Sequence, residues 1–107
     1  MKDSLQLLTP WEPIDSADCE RFADEYAVEI GKGHPLYGVP VRAVARRADC
    51  DDVLFRLLRH LCEYAVVRLT WSGREEPDPQ RPGCKIYADE ADLMEVCIRP
   101  VHQGYEA

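Results

Sequence analysis

The chain has 107 residues, 46% of them hydrophobic, and a formal net charge of −7. That length suits one domain around one core, the acidity disfavours nonspecific nucleic-acid binding, and no run approaches the roughly 20 apolar residues of a membrane helix. Charge is unevenly placed: residues 1–39 sum to −5 and residues 71–107 to −4, whereas residues 40–70 hold six arginines against four acids, or +2.

Residues 1–13 read as an N-terminal arm, with Pro10 and Pro13 interrupting regular hydrogen bonding around Trp11. Leu5, Leu7, Leu8 and Trp11 are expected to lie on the core. A helix is predicted from about Ser16 to Ile30, its apolar stripe formed by Cys19, Phe22, Ala23, Tyr26, Ala27 and Ile30. Asp15 is the expected N-cap, its carboxylate accepting from first-turn amides. Ile14 and Cys19 fall at the positions of a hydrophobic staple, and Gly31-Lys32-Gly33 stops the helix. His34-Pro35-Leu36-Tyr37-Gly38 is a turn-rich connector.

Residues 40–47 alternate as a strand. Ala48-Asp49-Cys50-Asp51-Asp52 forms a turn. Residues 52–65 fit two descriptions. Leu54, Leu57, Leu58, Leu61, Cys62 and Ala65 share a helical stripe, and no Gly, Asn or Pro marks a hairpin tip. Val53, Phe55, Tyr64, Val66, Val67, Thr70 and Trp71 instead favour strands over 53–58 and 63–71. Residues 72–83, SGREEPDPQRPG, form an exposed Pro-rich loop. Lys85–Ala88 reads as a short strand. Asp89 caps a second helix running to about Ile98, with Asp92 at N3 and Pro100 ending it, which leaves residues 100–107 as a partly ordered tail.

The segments HPLYG, CDDVLF, YAVVRLTWSG and IYADEADLMEVCIRPVHQGY resemble, in this order, segments of a set of small, uncharacterised bacterial proteins. The likeness covers most of residues 34–105. It implies no activity, because none is established for those proteins. Many of them have histidine where this chain has Arg68. They carry a variable, turn-like stretch where this chain has Leu58–Cys62, and this implies a hairpin tip and hence strands.

The expected fold is therefore α+β with two layers: an antiparallel meander of three to four strands, covered on one face by the N-terminal and C-terminal helices, in a single domain over 1–107. Parity sorts the side chains. Val41, Ala43, Ala45, Val53, Phe55, Leu57, Ala65, Val67, Leu69 and Trp71 form an apolar inner face. Arg42, Val44, Arg46, Leu54, Arg56, Leu58, Tyr64, Val66, Arg68 and Thr70 form the other face. Arginine, tyrosine and aliphatics together match partner-binding surfaces. Arg42, Arg46, Leu54, Arg56, Tyr64 and Arg68 are thus the candidate docking residues, for a protein partner or a second copy. The bland alternative is an ordinary exposed sheet whose arginine stems cover their apolar neighbours.

Catalytic signals are sparse. The five cysteines (19, 50, 62, 84 and 97) are odd in number and include no C-x-x-C pair, so neither a zinc knuckle nor a thioredoxin-type pair is indicated. With an N-terminal apolar stretch too short for a secretory signal, reduced thiols and a cytoplasmic location are expected. His34, Cys50, Asp51 and Asp52 are the enzyme-like set, as a Cys–His nucleophile or a hard-metal site. Against this, Asp49, Asp51 and Asp52 are ordinary turn residues, and neighbouring carboxylates oppose a thiolate. No nucleotide, hydrolase or metalloprotease motif is present, so no cofactor and no metal are predicted. Arg42, Arg46 and Arg47 do not form a nucleic-acid footprint on so acidic a chain. The leading expectation is a small non-enzymatic accessory protein, inhibitor- or immunity-like, that binds another protein. A small metal- or thiol-dependent enzyme is the alternative, and an acidic mimic of nucleic acid is a third reading.

Overall fold

The computed structural model describes residues 7–75, 78 and 81–106; Leu5, expected on the core, lies outside them. Five antiparallel strands form one sheet in chain order: β1 (Trp11–Pro13), β2 (Val41–Arg47), β3 (Asp52–Leu57), β4 (Tyr64–Arg68) and β5 (Cys84–Tyr87). Helix α1 (Ser16–Glu29) lies between β1 and β2. After β5 come α2 (Glu90–Leu93), a π-helical stretch (Met94–Ile98) and α3 (Arg99–Glu106), together the C-terminal helix. No described helix is long and apolar enough to cross a membrane.

The α+β class and the antiparallel meander are as expected. The sheet is wider, because the arm contributes a strand: Trp11, Glu12 and Pro13 pair with Arg47, Arg46 and Ala45. Proline is tolerated there because β1 is an edge strand. The strand reading of residues 52–68 holds, with Asp52 opposite Arg68 and Arg56 opposite Tyr64. The tip manages without glycine. Arg59 takes the left-handed conformation (φ 58°), and His60 Nδ1 accepts the Cys62 N–H at 3.0 Å.

α1 packs on one face of the sheet. Phe22, Tyr26 and Ile30 meet Ala43, Val53, Phe55, Leu57, Ala65, Val67 and Leu69 in one core, with Ile14 and Cys19 at its margin. The alanines let the helix approach closely, and the Tyr26 and Phe55 rings sit 5.0 Å apart. Asp15 occupies the cap position, but its side chain makes no capping bond. Its carbonyl receives the Asp18 and Cys19 amides instead.

The helix placement differs from expectation. The C-terminal helix covers the opposite face, where Leu93, Cys97 and Ile98 pack with Trp11, Ala45, Leu54, Tyr64 and Tyr87 in a second core. The molecule has helix, sheet and helix in three layers. Only Ala88 and Asp89 separate β5 from α2, so the helix turns straight onto the face that Tyr87 presents. Its start is fixed reciprocally. Asp89 Oδ1 accepts the Asp92 N–H, and Asp92 Oδ2 accepts the Ala88 N–H, each at 2.9 Å, in the manner of a capping box. Pro100 does not end this helix. The preceding turn widens, so that the Arg99 N–H reaches the Met94 carbonyl, and the missing proline N–H is absorbed in a π-bulge.

A bulge between Ala43 and Ala45 shifts the register of β2 against β3. It breaks the parity rule at one place. Ala45 joins the second core rather than the first, and Arg46, now opposite Val53, turns to the α1 side.

Candidate functional site

Between the C-terminal helix and the end of the sheet formed by β1, β2, β4 and β5 runs a groove of about 500 Å³. Trp11, Val66, Val96 and Val101 supply its apolar wall, and Arg47, Arg68 and Lys85 its cations. Strand pairing places these groups. Arg47 lies opposite Trp11, its guanidinium 6.0 Å from the indole centroid. Lys85 lies opposite Val66, and Arg68 opposite Asp52.

The arginines are tied down. Arg68 Nε donates to Asp52 Oδ1 at 2.8 Å. Arg47 donates to both oxygens of Asp49, at 2.9 and 2.7 Å, and its other nitrogen lies 3.6 Å from Asp52. These bonds raise both guanidinium pKa values, and Arg47 holds the Asp49 carboxyl below its usual range. Asp52 is thus a half-buried counter-charge shared by two arginines, which fixes their direction. Lys85 has no ion pair among the described residues. Within the groove lining, three cations stand against the single anion Asp52. Tyr87 and Cys97 complete the floor. Burial pushes both their phenol and thiol pKa values up, so both stay neutral.

Of the six candidate docking residues, only Arg68 borders this groove. Leu54 (0% exposed) and Tyr64 (2%) are core residues beneath the C-terminal helix, and they do not form an open surface. The aliphatics of that face need cover, and the chain's own C-terminal helix supplies it. Arg56 lies over the Tyr64 ring, 5.7 Å from its centroid, and 4.0 Å from Glu63. Arg42 faces Arg56 across β2 and β3. The bulge sends Arg46 to the other side, where it lines a smaller cleft of about 180 Å³ with Arg21, Phe22, Cys50, Asp51, Asp52, Val53 and Trp71. Lys85 and Val96 were missed. The signal available for the first was that Lys85 lies two residues before Tyr87 in a strand and so shares its face.

The enzyme-like set comes together only in part: Cys50, Asp51 and Asp52 share the smaller cleft, and His34 lies elsewhere. His34 is buried (5% exposed). Its Nδ1 accepts the Leu36 N–H at 3.0 Å, so Nε2 carries the proton and donates to the Pro82 carbonyl at 2.8 Å. Both ring nitrogens are committed to pinning the 34–38 connector to Pro82. Cys50 and Asp51 line the smaller cleft, which His34 does not enter, and Asp52 is spent on Arg47 and Arg68. His60 holds the hairpin tip. His102 Nδ1 donates to the Thr9 carbonyl at 2.7 Å. Among the described residues, no three His, Cys, Asp or Glu side chains are grouped to hold a metal.

No protein-family model, curated protein or solved structure matches this chain.

Proposed function

We propose that this is a non-enzymatic accessory protein that holds an acidic, partly apolar segment of another protein in the groove beside the C-terminal helix. The observation that carries this reading is the make-up of the groove, with Arg47, Arg68 and Lys85 around Trp11, Val66, Val96 and Val101 on a chain of net charge −7. Its volume lies in the range of ligand-holding clefts. Val96 is 59% exposed, an apolar side chain in water at the groove's rim. A segment that laid aliphatic side chains on the valines would bring its carboxylates to Lys85 and to the outer edges of the two guanidiniums. Opposite charge steers such a segment in and fixes its orientation.

The test is fluorescence anisotropy with a labelled synthetic peptide of alternating glutamate and leucine, beside the same peptide with lysine for glutamate. The acidic peptide should bind and weaken as salt rises, because exposed pairs are screened. Lys85→Glu and Val96→Asp should each weaken it about tenfold. Both positions are exposed, so the fold tolerates the changes. Equal binding by wild type and both variants, or equal binding of the lysine peptide, defeats the reading. A sedimentation run showing that a second copy fills the groove defeats it too.

A further inference from the structure

Residues 70–73 cross the outside of α1 between the buried Leu69 and a left-handed glycine, Gly73 (φ 73°). Three of their backbone N–H groups, those of Thr70, Trp71 and Gly73, end on two carboxylates of that helix. Glu29 Oε1 accepts from Thr70 at 2.9 Å and Oε2 from Trp71 at 2.8 Å. One turn earlier, Glu25 Oε2 accepts from Gly73 at 3.0 Å. Glu29 is fully buried. A carboxylate is enclosed there because it satisfies amides that the strap, belonging to no ladder, leaves unpaired.

The bonds hold Trp71 in a conformation it does not favour. Its φ is +58°, a region where a bulky side chain is an outlier and is strained. Such strain persists only where the surroundings overdetermine it, and it concentrates at clamps and switches. The conformation sets the indole edge-on against Phe22, with centroids 5.2 Å apart and planes at 79°. The Arg21 guanidinium lies over both rings, at 5.2 and 5.5 Å. Placed there, Trp71 is one wall of the cleft that contains Arg46, Cys50 and Asp51, yet it stays 38% exposed.

We propose that residues 70–73 are a lid on this cleft, closed by a latch made of Glu25 and Glu29, with Gly73 as the hinge. When the latch lets go, the strain at Trp71 is released, the indole swings off Phe22 and the cleft opens toward Cys50. This device lies on the α1 face of the sheet, opposite the groove beside the C-terminal helix, and shares only Asp52 with that groove's lining.

Cys50 reports the state of the lid, because Trp71 and the thiol line the same cleft. The experiment compares wild type, Glu25→Gln and Glu29→Gln. Amide exchange is followed by NMR, and Cys50 labelling by a bulky maleimide is followed peptide by peptide. In Glu29→Gln, exchange at Thr70 and Trp71 and labelling at Cys50 should both rise about tenfold, the loss of a charge-assisted bond. Phe55 and Val67 amides should keep their protection. Glu25→Gln takes the charge off the acceptor of the Gly73 bond and off the contact with Glu29 while leaving Glu29 in place, so it carries the test should Glu29→Gln fail to fold; its rise should be about threefold. Faster strap exchange without faster Cys50 labelling overturns the lid. Unchanged exchange in Glu25→Gln overturns the latch.

Discussion

The enclosed carboxylate of Glu29 receives the Trp71 backbone N–H at 2.8 Å, joining residues 42 positions apart in the chain. Burial raises the pKa of that carboxyl, and its hydrogen bond with Glu25 raises it further, outweighing the opposing bonds from Thr70 and Trp71. The folded protein therefore takes this proton more readily than the unfolded chain. By linkage, the stabilising contribution is complete below the ordinary glutamate value of 4.5 and is lost as pH rises through the raised folded value. Glu29→Gln cannot titrate, so the wild-type minus variant difference in unfolding free energy should fall over that window. Urea titrations at several pH values check it, and a difference independent of pH contradicts the account.

Leu54 gives a sharp contrast between its two assignments. As a surface residue, Leu54→Asp would be tolerated and would alter only binding. Fully buried in the second core, it should instead prevent folding, and Leu54→Ala should cost about 2–5 kcal/mol. Phe55→Ala, on the α1 side, should cost about 3–5 kcal/mol. Both losses approach the whole stability of a small domain. Chemical denaturation of the alanine variants measures them.

The arginine–aspartate contacts beside the groove should matter little to stability. Arg68 has a side chain 65% exposed, and an exposed pair is typically worth about 0–1 kcal/mol. Arg68→Ala should therefore leave the melting temperature nearly unchanged. Asp52→Asn, which strips the shared counter-charge from Arg68 and Arg47, should be the more damaging of the two. Thermal melts of both variants decide the order.

Thiol chemistry separates the cysteines. Burial raises the thiol pKa of Cys84 and of Cys97, and Cys97 is only 6% exposed. Since the thiolate is the reacting species, both should label slowly with a water-soluble alkylating reagent at pH 8, and both should label fast once urea unfolds the chain. Peptide-resolved mass spectrometry provides the measurement. Rapid labelling of Cys97 in the native protein contradicts its placement under the helix.

The sheet was legible where its signal is local. Alternation in Val41–Arg47 marks a strand whichever way it is covered; over residues 52–65 the β-branched and aromatic content competes with a helical stripe, and the strand reading there rests on the resemblance. The capping pair Asp89 and Asp92 was legible from a local signal too. Three things were not. The bulge at Val44 leaves no mark in composition, since alanine and valine suit either face, and so Arg46 changed sides unannounced. Pro100 reads as a stop under the ordinary 3.6-residue repeat; only a locally wider turn lets the helix pass it. The side chosen by the C-terminal helix depends on a two-residue connection leaving β5 on the Tyr87 side. The aliphatics Val44, Leu54 and Val66 required cover, and the sequence did not say whose.

The strands pair with their neighbours in the chain, in order, from β1 to β5. The β2–β3 and β3–β4 ladders can therefore each zip from a nearby turn with little loop-closure cost, the arrangement that favours fast folding, whereas α1 intervenes between β1 and β2 and residues 69–83 between β4 and β5. The bond between Thr9 and His102 is different, joining groups 93 positions apart. We expect this clasp between the two ends to form after the hairpins, and pulse-labelled exchange that protects it first would refute the order.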